Sequence, residues 1–187
     1  MDRRHAILSA LALPWSGVLA SPGADAFWQR LRQGHCVVLM RHEQTVSGIG
    51  DPPGFRLGDC STQRNLSDAG RERSRALGRA FAQAGVRPDV VLSSAWCRCT
   101  DTAALAFGTH RVWAPLNSFF GQGDGQAQLR LALQRVRESA LQGLEVWVSH
   151  QVNISGLTGE APAMGELFAC DPVVRGGRLP LVARWSV

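Results

Sequence analysis

The sequence predicts an α/β fold, a three-layer α/β/α sandwich in which helices cover both faces of a mainly parallel sheet. Two observations support this prediction. Short continuous apolar runs, typical of strands buried on both faces, alternate with segments whose apolar residues recur at helical spacing. Strands that alternate with helices in this way form parallel sheets. The chain of 187 residues is long enough for one domain with a real core, and no linker or internal repeat divides it.

Residues 1–26 have the features of a signal peptide. Arg3 and Arg4 form a positive n-region, and the apolar stretch that follows is too short to cross a bilayer. Two small-x-small cleavage sites come next, ending at Ala20 and Ala26. The sequence therefore predicts an exported protein. The arginine pair leaves both the general secretory route and the twin-arginine route open.

The mature part, residues 27–187, is expected to be a single periplasmic or secreted domain. No later segment is long and apolar enough to span a membrane. The formal net charge of +5 favours acidic ligands. The sequence lacks lysine-rich runs, zinc-finger spacing and RNA-binding aromatic motifs, so nucleic acid is not an expected partner. The oligomeric state is left open.

The first half of this domain reads as helix, strand, loop and helix. Helical spacing predicts a short helix over 27–33, and a buried strand follows and ends at Met40. The stretch 47–65 is rich in glycine and proline, and loops of this length in compact domains usually have a function. Ser67 is the expected N-cap of a second helix, which Gly85 ends.

The second half continues the alternation and adds two closing strands. The further buried strands are expected at 90–92, 111–113 and 144–148. The further helices are expected at 97–107, 129–140 and 151–157, and a glycine-rich loop at 117–125. The last two apolar runs, 167–170 and 179–187, are expected to close the sheet, with an antiparallel direction as one option.

Four basic residues follow three of the predicted strands. Arg41 and His42 come directly after the first strand, Arg98 begins the helix after the second, and His150 follows the fourth. Ligands of open α/β sheets bind outside the carboxyl ends of the strands, so the four side chains should converge. Arginine forks match phosphate oxygens, and nearby cations keep a histidine neutral and able to attack phosphorus. A second histidine, if protonated, could donate to the phosphate. Any one of these residues alone would indicate nothing.

The chain has five cysteines, so in an oxidising compartment one or two disulfides are expected and at least one thiol stays unpaired. Cys97 and Cys99 are two apart on a predicted helix, so they face different ways and no zinc site is expected. Cys60 lies in the long loop that could cover the pocket. A disulfide from Cys60 to Cys97 or Cys99 is therefore expected, with Cys36 as a buried apolar thiol. If the export signal is misread, all five thiols would be reduced.

Four ordered pieces of the chain resemble the signatures of the histidine phosphatase superfamily, also called the phosphoglycerate mutase-like family. The pieces are 39–45 (the family's R-H-G-x-T), 65–70 (L-[ST]-x-x-G), 92–103 (S-x-x-x-R-x-x-[QD]-T-A) and 148–150. The resemblance implies a phosphoglycerate mutase-like fold and catalysis through phosphohistidine without a metal or other cofactor. By position, His42 would be the nucleophile, and Arg41, Arg98 and His150 would bind the phosphoryl group.

The sequence departs from the family pattern at two places. Glu43 replaces the usual glycine, and Gln151 stands where one branch of the family has an aspartate after the second histidine. The general acid is therefore open between Asp124, in the glycine-rich loop, and Glu43. Thr45, Arg64 and Gln151 are candidate substrate contacts.

We expect a metal-independent phosphatase that hydrolyses a phosphomonoester. The alternative is a catalytically weak or inactive member of the same fold that only binds a phosphorylated ligand. A mutase is disfavoured because the chain is short and carries an export signal. The expected partner is a small phosphorylated substrate. A sugar phosphate, an envelope glycolipid phosphate such as a lipopolysaccharide heptose, and a phosphoprotein all remain open.

Overall fold

The computed structural model describes residues 22–121, 125–138 and 143–187, which fold as a three-layer α/β/α sandwich. The strands are β1 (Cys36–Arg41), β2 (Val90–Ser93), β3 (Arg111–Val112), β4 (Leu144–Ser149), β5 (Leu167–Cys170) and β6 (Leu181–Trp185). The helices are α1 (Pro22–Arg32), α2 (Asp68–Gln83), α3 (Cys97–Phe107), α4 (Gly125–Glu138) and α5 (Gln151–Thr158). Within these residues, no helix is long and apolar enough to cross a membrane.

The sheet runs in the order β3-β2-β4-β1-β5-β6. The first four of these strands are parallel to one another, whereas β5 pairs antiparallel with both β1 and β6. The mainly parallel sheet with closing strands is thus confirmed, and the antiparallel option is the observed one. In the centre, β1 and β4 pair in a register that places Arg41 opposite Ser149. The carboxyl ends of β1, β4 and β2 therefore meet at one edge.

The continuous apolar run of β1 reflects burial on both faces of the sheet. Val38 and Met40 pack into the core under α1, α2 and α3, while Val37 and Leu39 pack into the core under α4 and α5. Each fully buried side chain of this size contributes roughly 1.5–3 kcal/mol relative to exposure. Two cores on opposite faces hold β1 rigidly in place, with its carboxyl end open to the site.

Helix α2 ties the loop after β1 to the sheet. The Ser67 hydroxyl accepts a hydrogen bond from the Gly70 N–H at 3.1 Å, which confirms the predicted N-cap. At Gly70 a Cβ would overlap the carbonyl oxygen of Gln44, so only glycine allows this close approach of helix and loop. The start of α2 thereby fixes the chain two residues after His42.

Two helices begin earlier than predicted. Helix α1 starts at Pro22 rather than at residue 27, because proline is compatible with the first turn of a helix and does not have to precede it. Helix α4 starts at Gly125 rather than at residue 129, since its first turn has no buried apolar residue to mark it. The remainder of the predicted signal peptide, 1–21, and residues 139–142 lie outside the described residues.

Candidate active site

The four predicted basic residues lie together at the carboxyl edge of the sheet. The His42 N–H donates to the Ser149 carbonyl at 3.0 Å, which continues the β1–β4 pairing and sets His42 beside His150. The centroids of the two imidazole rings are 5.6 Å apart. Arg41 and Arg98 line the same pocket, which has a volume of about 620 Å³. The predicted convergence is therefore observed.

His42 presents an unprotonated nitrogen. Its Nδ1 lies 2.9 Å from the backbone carbonyl of Glu43, and a carbonyl only accepts, so Nδ1 carries the proton. The lone pair of Nε2 is then free. Burial lowers the pKa of His42 to about 3; the Glu43 hydrogen bond opposes this, and the charges of Arg98 and Arg41 add to it. The ring is neutral at neutral pH, as a nucleophile requires.

His150 is the more deeply embedded histidine. Its Nε2 lies 2.8 Å from the Ser94 hydroxyl and 3.6 Å from the thiol of Cys99. Burial, followed by the neighbouring His42 and Arg98, holds the pKa of His150 well below its usual value. These interactions disfavour a protonated second histidine, because the ring is both desolvated and surrounded by cations. A bound dianion would raise that pKa again.

Three arginines surround the two histidines. Arg41 donates to the Pro162 carbonyl at 3.0 Å, and Arg64 donates to the Gly48 carbonyl at 2.7 Å. Arg64, predicted only as a candidate substrate contact, lines the pocket together with Arg98. The Nε atoms of all three arginines are buried without a hydrogen-bond partner. Unpaired buried donors of this kind are destabilising, and an anion that accepts from them would relieve the penalty.

Arg98 pairs with the carboxylate of Asp51, a residue that was not among those predicted from the sequence. Asp51 receives Arg98 Nη1 at 2.7 Å and Arg98 Nη2 at 3.2 Å, a two-pronged ion pair in which both side chains are over 90% buried. The Trp96 indole and the Arg64 backbone N–H also donate to Asp51, at 2.9 and 3.0 Å. Burial alone would raise the pKa of Asp51, but these donors outweigh it and hold the pKa below its usual value. Asp51 was not predicted because it is flanked by Gly50 and a proline pair, which is the sequence pattern of an ordinary turn.

Of the two predicted general-acid candidates, Glu43 is described by the structure and does not face the pocket. Glu43 is fully buried, accepts from Arg73 Nε at 3.1 Å and from the Gln44 N–H at 3.2 Å, and is absent from the pocket lining. The carboxylate is directed towards α2 because Arg73 lies there. Asp124 lies outside the described residues.

The two remaining substrate-contact candidates differ in placement. Gln151 lines the pocket as the first residue of α5. The Thr45 hydroxyl lies 4.0 Å from the sulfur of Met164, and Thr45 is not part of the lining. Thr45 instead forms a bridge with Leu66 that closes the base of the long loop.

A disulfide joins Cys60 to Cys97, with the Cα atoms 5.6 Å apart, which confirms one of the two predicted pairings. It anchors the long loop to the start of α3, one residue before Arg98. Cys99 is a buried free thiol, and so is Cys36, as predicted. Across the described ranges, no group of three or more His, Cys, Asp or Glu side chains is arranged to hold a metal ion.

The mouth of the pocket is apolar. Ile49 is 92% exposed, Phe120 59% and Met164 37%, and all three line the pocket. The rings of Phe55 and Trp96, 5.8 Å apart, continue this surface inward. The pocket thus combines a cationic base with a hydrophobic rim.

Comparison with known proteins agrees with this chemistry. Residues 37–118, which include Arg41, His42 and Arg98, match the model of the histidine phosphatase superfamily (branch 1). A 2,3-bisphosphoglycerate-dependent phosphoglycerate mutase of Thermobifida fusca (strain YX) is 36% identical over 104 residues, which cover 50% of this chain and 40% of the mutase. The match thus spans less than half of that relative's length.

Solved structures share the fold at low sequence identity. The protein histidine phosphatase SixA complexed with tungstate matches with a TM-score of 0.56 and 18% identity over 81% of this chain and 96% of SixA. The alpha-ribazole phosphatase of Shigella flexneri matches with a TM-score of 0.59 and 17% identity over 79% and 95%. A mycobacterial glucosyl-3-phosphoglycerate phosphatase matches with a TM-score of 0.57 and 15% identity over 82% and 99%. The chain is therefore similar to the histidine phosphatase superfamily (branch 1) over residues 37–118, and it shares its fold with these solved structures.

Proposed function

We propose that this protein is a metal-independent phosphatase that hydrolyses a phosphomonoester through a phosphohistidine intermediate on His42. The observation that carries the proposal is the tautomer of His42. Because Nδ1 donates to the Glu43 carbonyl, Nε2 has a free lone pair in a pocket lined by three arginines. A neutral nucleophile and a cationic cradle are what attack on a phosphate dianion requires.

The chain's own residues account for binding and attack. Arg41, Arg64 and Arg98 offer their free donors to the phosphoryl oxygens and offset their charge. The Nε2 of His42 forms the bond to phosphorus, and the bond from phosphorus to the ester oxygen breaks. A water molecule then attacks the phosphorylated histidine, and inorganic phosphate leaves. His150, next to His42, is placed to contact the phosphoryl group as charge shifts between the oxygens.

The test is covalent labelling with a ³²P-labelled substrate, followed by acid and alkali treatment to identify phosphohistidine. His42→Ala is expected to lose both labelling and hydrolysis. Arg41→Ala and Arg98→Ala should keep the fold and lose on the order of 3 kcal/mol of transition-state stabilisation, roughly a hundredfold or more in rate. His110→Ala, outside the pocket, is the matched control and should keep full activity. Full activity in the His42 variant would overturn the proposal.

Metal independence is tested separately. The three arginines supply the charge neutralisation that Mg²⁺ provides in other phosphoryl-transfer sites. Activity should therefore survive exhaustive treatment with EDTA. A complete loss that added Mg²⁺ or Zn²⁺ reverses would contradict this part of the proposal.

A phosphate-binding protein without turnover is the second candidate, and the occupation of Arg98 by Asp51 favours it. In that case tungstate or phosphate would bind, and the wild-type protein would give neither labelling nor released phosphate. A mutase would transfer the label to an acceptor alcohol rather than to water. Product analysis of one labelled turnover separates the three activities.

The apolar rim supports a substrate that carries a hydrophobic group beside its phosphate. Among the candidates, this favours an envelope glycolipid phosphate or a phosphoprotein over a free sugar phosphate. Hexyl phosphate should then be hydrolysed better than glycerol phosphate. Ile49→Ser or Phe120→Ser should reduce that preference by roughly tenfold, because each variant loses the contact of one apolar side chain with the hexyl group. Val182→Ser, an exposed position on β6, is the matched control. An unchanged preference in both rim variants would contradict the assignment.

The domain acts outside the cytoplasm in this proposal. The n-region, the h-region and the cleavage sites at the amino terminus support export. The Cys60–Cys97 disulfide adds support, because such bonds persist in oxidising compartments. Fractionation of cells that produce the full chain tests the location.

A further inference from the structure

We propose that Asp51 is the general acid of the reaction and exchanges its place on Arg98 with the substrate phosphate. This inference rests on the proposed phosphatase function. An alkoxide is a poor leaving group, so the ester oxygen needs a proton as its bond to phosphorus breaks. His42 is the nucleophile, and the arginines remain charged. Among the described residues that line the pocket, Asp51 is the one carboxyl group.

The place that Asp51 occupies is an anion site. Arg98 offers two parallel donors to it, and the Trp96 indole and the Arg64 backbone N–H add one each. Two-pronged arginine donors bind carboxylate and phosphate alike. A substrate phosphate that enters the pocket therefore competes with Asp51 for Arg98. With two negative charges against one, the phosphate is the stronger partner.

Release from Arg98 changes the proton affinity of the carboxyl group. Its largest stabilising hydrogen bonds come from Arg98 and the Arg64 backbone. Once the phosphate holds Arg98, Asp51 loses a cation and gains an anionic neighbour, and both changes favour the protonated acid. Substrate binding thus loads Asp51 with a proton from solvent at the moment when the ester oxygen lies in the pocket.

The backbone around Asp51 allows this exchange. Gly50 and Gly54, on either side of the segment, have φ angles of +70° and +77°, which permit changes that other residues resist. The base of the loop is fixed by the hydrogen bond from the Val46 N–H to the Asn65 carbonyl at 3.0 Å, and its far end by the disulfide at Cys60. The segment can therefore pivot between two anchors without leaving the pocket.

The proposed steps balance. The Nε2 lone pair of His42 bonds to phosphorus, the bond from phosphorus to the ester oxygen breaks, and the carboxyl proton of Asp51 moves to that oxygen, which leaves as an alcohol. In the second half, Asp51 as carboxylate takes a proton from water while the water oxygen bonds to phosphorus. The bond from phosphorus to His42 breaks, and its electron pair returns to Nε2. Phosphate leaves, and the carboxyl group is protonated again.

The dependence on the leaving group tests this role. Asp51→Asn should reduce kcat for hexyl phosphate by about a hundredfold or more, the usual range for a general acid. With 2,4-dinitrophenyl phosphate, whose leaving group needs no proton, the rate of dinitrophenolate release in the first turnover should fall less than about fivefold, and phosphohistidine should accumulate because its hydrolysis still needs Asp51. Asp51→Glu, which keeps the acid, should recover part of the hexyl phosphate activity. Asp59→Asn, an exposed acid of the same loop, is the matched control and should change neither rate.

Two results would overturn the inference. An equal loss of the first-turnover rate with both esters would make Asp51 a positioning residue for Arg98, and a gain in activity with a lower KM would make it only an internal competitor. Thermal unfolding of each variant identifies a loss that comes from misfolding.

Tungstate titrations at pH 7.5 in buffers of different ionisation heats give a readout without turnover. The wild-type protein should take up more protons per tungstate than Asp51→Asn, and equal uptake counts against the exchange. If His42→Ala is active or wild-type labelling is absent, the phosphatase proposal fails, whatever Asp51 does.

Discussion

At the scale of single residues, Glu43 shows how the site accommodates a side chain where the histidine phosphatase signature has a glycine. Its backbone has no positive φ, since His35 is the one non-glycine residue with positive φ in the described ranges, so a side chain at position 43 is not strained. The carboxylate is buried and pairs with the partly exposed Arg73, while its Oε1 atom has no hydrogen-bond partner. The pair therefore serves the packing of α2 against the loop after β1.

This pairing predicts an asymmetry between two substitutions. Arg73→Met leaves a buried carboxylate without its cation and should lower the free energy of unfolding by about 2 kcal/mol, less than for a fully buried pair because Arg73 is partly exposed. Glu43→Gln removes the charge itself and should be milder. Urea denaturation measures both. Arg75→Met, an exposed residue that pairs with Glu72, is the control with an expected change below about 0.5 kcal/mol. Equal losses in Arg73→Met and Arg75→Met would refute the asymmetry.

The buried histidines predict a loss of stability in acid. The pKa of His42 is about 3 in the folded protein and about 6.5 in the unfolded chain, so between these values the unfolded chain binds more protons. Its stabilising contribution is complete above pH 6.5 and declines as the pH falls. From pH 7 to pH 5, His42 alone should reduce the free energy of unfolding by about 2 kcal/mol. Urea titrations at both pH values measure the change, and in His42→Gln the slope with pH should be shallower. An identical slope would show that His42 is not buried as a neutral ring.

Residue chemistry also explains what the sequence could predict about the site. Arg41, His42, Arg98 and His150 follow strands, and parallel strands bring their carboxyl ends together, so strand prediction alone located them. Asp51 lies in the middle of a loop, where no periodicity fixes the direction of a side chain. Its ion pair with Arg98 depends on how the loop folds back, which a disulfide and a helix cap decide jointly.

At the scale of elements, the long loop is held in place by the Cys60–Cys97 disulfide. The bond closes a segment with a sequence separation of 37 residues, for which the chain-entropy model gives about 4 kcal/mol. We predict that the Cys60→Ser, Cys97→Ser double variant is destabilised by up to this amount. Its KM for phosphomonoesters should rise, because Arg98 follows Cys97 directly. Dithiothreitol should affect the wild-type protein and leave the variant unchanged, and an equal effect on both would exclude the disulfide as the cause.

Most elements were predictable because burial leaves a recognisable pattern of apolar residues in the sequence. Helix α3 was predicted with its observed bounds, and β1 and β4 within a residue, since their apolar runs end where polar site residues begin. The starts of α1 and α4 were missed for a physical reason. First turns need no buried face, so Pro22 and Gly125 carry no periodic signal.

At the scale of the whole molecule, α1 bears on where a signal peptide is removed. Phe27 is fully buried, and its ring stacks on Trp185 of β6 at 5.9 Å, so α1 belongs to the core. Cleavage after Ala26 would remove the first turns of α1, whereas cleavage after Ala20 would keep them. We predict an amino terminus at Ser21 in the exported protein, which mass spectrometry of a periplasmic fraction measures. A mature chain that starts at Phe27 would contradict this prediction, and an intact Met1 would contradict export itself.

Under the proposed function, the central pairing of β1 with β4 also makes enzymatic activity a measure of folding. His42 and His150 directly follow the neighbouring strands β1 and β4, but more than a hundred residues of chain separate them, and such long-range parallel pairings form slowly. Secondary structure, in contrast, forms from local contacts. A refolding chain can therefore regain its helices well before His42 lies beside His150. The time at which turnover recovers would therefore report when these two strands pair. A far-ultraviolet circular dichroism spectrum reports mainly the formation of the helices and changes little at this step.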